Sequence, residues 1–157
     1  MKLNLLVYGL IATIVVGAGF FIAKDLLAGP GVGDCVAPQA NSATLELNEL
    51  KCTSRQAMFE VAAIGADCPA GDYLVTSDGN EKTCFVLDVG KNMCVKPQQY
   101  EDRSEAVDVK TSGACRGGDL KEVTEVIDGT FDKSRCKKPE LSLAYSKPAR
   151  TICMDKL

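Results

Sequence analysis

The chain falls into an apolar N-terminal run and a longer segment of mixed character. Residues 3–23 carry no charged side chain. At about 1.5 Å per residue, a helix of that length crosses the roughly 30 Å hydrocarbon core of a bilayer. Secretory signal peptides have a shorter apolar region of about 7–15 residues. We therefore expect residues 1–29 to form an uncleaved transmembrane anchor helix and residues 30–34, which are rich in Gly and Pro, to form a linker.

Beyond the linker, short apolar stretches alternate with polar or small residues, and this pattern predicts a mainly β fold. Strands are expected at 44–47, 83–89, 106–109 and 141–145. The apolar positions of residues 55–64 suit a helix turn as well as a strand, so a small α+β fold is the alternative. Asp78-Gly79 and Asp128-Gly129 are hairpin-turn signals.

Eight cysteines divide this segment into two sets that share one rhythm. Successive steps are 17, 16 and 16 residues in the first set and 21, 21 and 17 residues in the second. The cysteines are Cys35, Cys52, Cys68, Cys84, Cys94, Cys115, Cys136 and Cys153. "CVAPQ" heads the first set and "CVKPQ" heads the second. We interpret this as a tandem duplication into four-Cys domains at 35–90 and 91–157, each with about four strands.

Longer motifs around these cysteines carry a family resemblance. The run "CPAGDYLV", continued by "TCFVLDVGKNMCVKPQQYEDRSEAVDVKTSGAC", resembles the LppU-type lipoproteins of the actinobacterial cell envelope. "VGDCV" is similar to the head of the related septum-formation-type domains. The resemblance covers roughly residues 32–157, and it implies a cell-envelope protein without known catalysis. The chain departs from the family in lacking a lipidated cysteine, and Val89-Gly90 stand where relatives often carry tryptophan.

Structural disulfides are the expected use of the cysteines. Zinc sites need clustered Cys or His ligands, and redox enzymes usually present Cys-x-x-Cys; the chain has neither pattern and no His. We favour bridges between neighbouring cysteines, because sequential antiparallel strands tend to lie side by side, and the resemblance supports this pairing. The alternative pairs the first cysteine of each set with the fourth and the second with the third.

The cysteines also predict the compartment. All eight follow the expected anchor, and four disulfides belong in an oxidising environment. We therefore expect a single-pass protein of the cell membrane, with a cytoplasmic N-terminus and extracytoplasmic C-terminal domains.

Charge separates the two repeats. The formal net charge is -3, so the overall charge does not favour nucleic-acid binding. Residues 35–90 hold three Lys/Arg and eight Asp/Glu (3 − 8 = −5), whereas residues 91–157 hold thirteen and eleven (13 − 11 = +2). A basic stretch in the second repeat is a candidate docking surface for an acidic partner or an anionic headgroup, or else an ordinary basic face. Its members are Lys133, Arg135, Lys137, Lys138, Lys147 and Arg150.

No enzyme is predicted. Without His, the chain has no Cys-His or Ser-His pair for nucleophilic catalysis. The acidic residues Glu101, Asp102, Glu105 and Asp108 are interpreted as a solvated loop that leads into a strand. We expect no metal and no cofactor.

Small residues recur every fourth position in the apolar run. Gly9, Thr13 and Gly17 would stack along one face of a helix, which is the arrangement that lets a second membrane helix approach closely. The alternative is that Gly is simply common in membrane helices.

These observations favour a non-catalytic, membrane-anchored accessory subunit of a larger membrane complex. Its partners would be integral membrane proteins, which it would contact through the anchor helix and the outer domains; a respiratory-chain assembly of actinobacteria is one expected host. The alternative is a free-standing envelope module that binds glycan, lipid or a small ligand.

Overall fold

A computed structural model describes residues 29–111 and 113–157. These residues form ten strands, and two single turns of 3-10 helix lie at Lys133–Arg135 and Pro139–Leu141. The first repeat contains β1 (Cys35–Pro38), β2 (Leu47–Leu50), β3 (Phe59–Gly65), β4 (Leu74–Asp78) and β5 (Glu81–Leu87). The second contains β6 (Cys94–Gln98), β7 (Val107–Thr111), β8 (Lys121–Asp128), β9 (Leu143–Ser146) and β10 (Ala149–Lys156).

The two repeats form two sheets of identical topology. The first sheet has the strand order β2-β1-β3-β5-β4, and the second has the order β7-β6-β8-β10-β9. All pairings are antiparallel. Each strand of the first sheet therefore has a counterpart five strands later, which is the arrangement a duplicated sequence would produce.

Irregularities of the two ladders also coincide. Ala62 is an extra residue in β3 where it pairs with β5, and Thr124 is the extra residue at the matching place in β8. Such bulges bend and twist a strand locally. Cys84 and Cys153 each lie opposite the residue that follows the bulge. The repeat therefore preserves strand register as well as cysteine spacing.

The shared "CV-x-PQ" motif forms the first strand of each repeat. Val36 and Val95 are fully buried. Pairing of β1 with β3 ends at Val36, and pairing of β6 with β8 ends at Val95. Pro38 and Pro97 lie two residues further along, beyond the pairing with β3 and β8. Their missing N–H groups therefore remove no hydrogen bond to those strands.

One hydrophobic core joins the two sheets. Consecutive residues of a strand point to opposite faces, and in each sheet one face carries most of the large buried side chains. A single buried cluster contains residues from both sheets. They are Val36, Phe59, Val61, Phe85 and Leu87 from the first sheet, and Val95, Val123, Tyr145, Ile152 and Met154 from the second. The apolar face of each repeat is thus covered by the other repeat.

The disulfides lie on the opposite face of each sheet. They join Cys35 to Cys52, Cys68 to Cys84, Cys94 to Cys115 and Cys136 to Cys153, and no cysteine is free. In each strand the bridged cysteine precedes or follows a core residue, as Cys35 precedes Val36 and Cys153 precedes Met154. The bridges therefore fasten loops over the outer faces, in the neighbour pairing that the sequence favoured.

The predicted fold class was wrong in its membrane helix. No helix among residues 29–111 and 113–157 is long and apolar enough to cross a membrane. Apolar stretches there end at turns after strands of at most eight residues, whereas a spanning helix needs about 20 residues. The described fold is mainly β, with two antiparallel sheets. The segment predicted as an anchor, residues 1–29, lies outside the described residues except for Gly29.

Several strand predictions need smaller corrections. Each repeat has five strands rather than about four. The ambiguous segment 55–64 holds most of strand β3, and the strand predicted at 44–47 begins only at Leu47. Asp78-Gly79 turns between paired strands. Asp128-Gly129 ends β8 without a hairpin, because residues 129–142 separate β8 from β9 and β8 pairs with β10.

Loss of one disulfide should cost stability in either repeat. Replacing Cys35 and Cys52 with Ser removes a 17-residue link and should lower the free energy of unfolding by about 3 kcal/mol, because the denatured chain gains conformational entropy. The corresponding bridge of the second repeat, Cys94–Cys115, closes 21 residues, and its replacement by Ser should cost a similar amount. Urea unfolding monitored by circular dichroism measures both. A double variant that unfolds at the same urea concentration as the wild type would contradict a stabilising role for its disulfide.

Candidate binding cleft

A cleft of about 580 Å³ lies where the two repeats meet. Residues of β3, β4 and β5 line one side, and residues 102–108 together with β9 line the other. Its volume falls in the range of roughly 300–1,000 Å³ that is typical of small-molecule sites. The cleft therefore depends on both repeats, and neither sheet alone would form it.

The first sheet supplies an apolar wall. Phe59, Leu74, Phe85 and Leu87 all line the cleft, and all are buried. Strand register places Phe59 beside Leu87 and Leu74 beside Phe85, so these side chains share one face. This wall is continuous with the core between the sheets.

The opposite side of the cleft is more polar, with charged residues from the loop before β7 and Asp108 of β7. Register matches Phe59 of the first repeat to Lys121 of the second, and Leu47 to Asp108. The Lys121 ammonium Nζ donates to both Asp108 carboxylate oxygens, at 3.1 and 2.8 Å. Two positions that are apolar in one repeat thus hold an ion pair in the other, with side chains only 18% and 16% exposed.

Tyr145 links the two walls. Its hydroxyl oxygen accepts a hydrogen bond of 3.3 Å from the Leu87 backbone N–H, across the boundary between the sheets. Its ring packs against the ring of Tyr73 with centroids 5.2 Å apart. Burial of the side chain raises the pKa of Tyr145 well above its ordinary value near 10, and the backbone bond from Leu87 offsets only part of this effect.

Arg103 spans the mouth of the cleft. Its guanidinium Nη1 donates to the Val75 carbonyl of β4 at 3.0 Å. The Arg103 Nε and the Tyr100 hydroxyl are buried, and neither has a hydrogen-bond partner among the described residues. Burial raises the pKa of Tyr100, and the nearby Arg103 charge opposes that shift. Unpaired buried donors of this kind cost free energy.

Four acidic residues border the cleft, and three of them are engaged within the protein. Asp72 accepts from the Ala144 N–H and pairs with Lys133, and Asp102 accepts from the Leu45 N–H. Asp108 is paired as described above. Glu105 is exposed and makes no ion pair within the described residues.

The acidic loop is therefore more than the solvated segment that the sequence suggested. Asp102, Glu105 and Asp108 are brought to the cleft, whereas Glu101 is not among its lining residues. The missed signal lay in the alignment of the repeats, where a charged pair replaces two apolar residues. No group of three or more Cys, Asp or Glu within residues 29–111 and 113–157 has a metal-binding arrangement.

The basic residues proposed for docking are partly neutralised. Lys133 pairs with Asp72 at 3.1 Å and Arg150 with Asp128 at 2.8 Å. Arg135 contacts the Thr130 hydroxyl at 3.4 Å. The remaining three, Lys137, Lys138 and Lys147, are exposed. Gly9, Thr13 and Gly17 lie outside the described residues.

Alkaline pH should destabilise the protein through Tyr145. Tyrosine in the unfolded chain ionises near pH 10, whereas the folded-state pKa of Tyr145 is higher. A raised folded-state pKa means that stability is fully present below about pH 10 and is lost as the pH rises above it. The free energy of unfolding in urea, measured from about pH 8 upward, should therefore fall above about pH 10.

Tyr145→Phe tests the source of this effect. The variant should lose less stability above pH 10 than the wild type, since it has no proton to release. At neutral pH it should be less stable by about 1–3 kcal/mol, because the buried Leu87 N–H loses its acceptor. Tyr73→Phe, whose hydroxyl bonds are exposed, is the control. Equal alkaline slopes for Tyr145→Phe and wild type would contradict the assignment.

The buried ion pair should behave as a coupled unit. Lys121→Met alone should lower the free energy of unfolding by about 1–3 kcal/mol, because Asp108 is left charged and half-buried. Adding Asp108→Leu makes both positions apolar, as they are in the first repeat, and should recover most of the lost stability. Urea unfolding of the wild type, both single variants and the double variant measures the coupling. Additive losses would show that the pair does not interact.

No protein-family model, curated protein or solved structure significantly matches the chain. The resemblance to LppU-type lipoproteins rests on the motifs quoted above and stays a prediction. The candidate cleft is therefore defined by its own geometry: an apolar wall on one side, and acidic residues with Arg103 on the other.

Proposed function

We propose that the protein is a non-catalytic, extracytoplasmic accessory protein that binds a protein component of a larger membrane complex. The observation that carries this proposal is the cleft between two disulfide-stapled repeats, which combines an apolar wall with polar groups at its mouth. Mixed surfaces of this kind suit recognition of a partner. The chain lacks His, so the cleft offers no Ser-His or Cys-His pair.

The four disulfides support the extracytoplasmic location. Every cysteine is bridged, and such bonds persist in oxidising compartments. The exposed residues Lys137, Lys138 and Lys147 offer a second contact for an acidic partner or headgroup. A respiratory-chain assembly remains one candidate host, since such complexes expose large extracytoplasmic surfaces.

A free-standing small-ligand module is the second candidate. The cleft volume of about 580 Å³ and the unpaired Arg103 Nε favour a small amphipathic ligand with an oxygen acceptor. The two candidates differ in what accompanies the protein during purification. An accessory subunit retains a protein partner in constant ratio, whereas a small-ligand module purifies without one.

Affinity purification distinguishes them. The full-length tagged chain is extracted from its native cells in mild detergent, and co-purifying proteins are quantified by mass spectrometry. We expect a stoichiometric protein partner for the wild type, and at least about tenfold less of it for Val107→Arg, which places a charge at the cleft. Val32→Arg, on a side chain that is 63% exposed and does not line the cleft, is the control. A wild-type protein that purifies alone would contradict the accessory role, and full retention by Val107→Arg would place the contact away from the cleft.

A further inference from the structure

The corresponding edge strands β4 and β9 differ in what covers their outer edges. The outer edge of β9 is covered by a short extended segment of the first repeat. The Asp72 N–H donates to the Ala144 carbonyl at 2.9 Å, and the Ser146 N–H donates to the Ala70 carbonyl at 3.0 Å. A carboxylate oxygen of Asp72 also accepts from the Ala144 N–H. The second sheet thus gains a partner along an edge that would otherwise be open.

The outer edge of β4 has no such cover within the described residues. The Val75 carbonyl accepts from Arg103, which shows that the Val75 backbone points away from β5. Ser77, two residues later, points the same way because orientation alternates along an antiparallel strand. Ser77 is exposed, and no described backbone group pairs with this edge. Open edges of this kind are templates for another strand.

An added strand could replace the hydrogen bond that Arg103 makes with this edge. It supplies one side-chain donor to one carbonyl, and its Nε has no acceptor. A backbone N–H from an added strand would satisfy the Val75 carbonyl equally well. The displaced guanidinium would then be released toward solvent or toward an oxygen of the incoming chain. The exchange therefore need not leave a polar group unpaired.

The surroundings of the edge indicate the chemistry of the incoming strand. Leu74 of β4 belongs to the apolar wall of the cleft, so an apolar side chain on the added strand has a place to bury. Asp78 and Glu105 are exposed and make no ion pair within the described chain. The first repeat also carries an excess of five negative charges (3 − 8) over residues 35–90. Both features favour basic side chains beside the apolar ones.

We propose that the edge of β4 is the docking site for an extended segment of the partner protein that carries both apolar and basic side chains on its cleft-facing side. The segment adds a strand to the first sheet, with its backbone bonded at Val75 and Ser77. Its cleft-facing side chains meet the apolar wall at Leu74 and the acidic residues Asp78 and Glu105, because Asp78 lies on the same face of β4 as Leu74 and Glu105 lines the cleft. Backbone pairing supplies affinity and alternate side chains supply specificity in this mode of recognition. The inference rests on the proposed accessory function and names the kind of partner segment involved.

The test uses a phage-displayed library of random heptapeptides selected against the oxidised, full-length protein in detergent. Enriched peptides are synthesised with a fluorescent label and titrated by anisotropy. We expect enriched sequences to carry apolar residues and Lys or Arg at every second position, on the one face that meets the cleft. Binding to Ser77→Pro should be about tenfold weaker or worse, because this change removes an outward N–H without touching the ladder to β5.

Glu49→Pro is the matched control. Glu46 bonds toward β1 through its carbonyl, so Glu49, three residues later, faces outward on the open edge of β2. This variant should bind the peptides as tightly as the wild type. Circular dichroism and protease resistance establish that both variants are folded. Equal binding by Ser77→Pro and wild type, or selection of no peptide at all, would overturn the docking site at β4.

The outcomes separate this inference from the proposed function. A partner protein that co-purifies with Ser77→Pro in wild-type amount would overturn the edge site and leave the accessory role intact. Size-exclusion chromatography tests a different occupant. If the wild type is a dimer and Ser77→Pro is a monomer, the edge binds a second copy of this chain instead. That result would also overturn the proposal of a partner segment.

Discussion

Burial of one sheet's apolar face against the other is the interaction on which the rest of the structure depends. Each sheet has only five short strands, and a unit of about 55–65 residues buries too little surface to be comfortably stable alone. The core cluster draws on both sheets, and the Tyr145 hydroxyl joins them through the Leu87 backbone. The disulfides reinforce the outer faces, on which no second sheet packs within the described residues.

Pairing two copies of one fold also creates the cleft. The two repeats contribute different residues to it. The first repeat supplies Phe59, Phe85 and Leu87, whereas Asp108 of the second stands where the first repeat has Leu47. The adjoining space is bordered by dissimilar surfaces, which suits binding of something that is neither wholly apolar nor wholly charged.

Much of this arrangement could be predicted from local sequence, because the signals were local. Cysteine rhythm and the repeated "CV-x-PQ" motif indicated the duplication, and sequential pairing followed from strand neighbours. The cleft could not be predicted, because it depends on contacts such as Arg103 with Val75, which are 28 residues apart. The position of β2 was missed because the alternation at 44–47 begins in the loop that packs against Asp102. Tertiary contacts there outweighed the local pattern.

The connectivity of the disulfides has a consequence for how the protein is made. No bridge encloses another cysteine, since every cysteine is joined to the next one along the chain. A polypeptide oxidised as it emerges, N-terminus first, would present each cysteine with its native partner as the next thiol to appear. Oxidation in order of synthesis would therefore give the native bonds directly, with little need for an isomerase to reshuffle them.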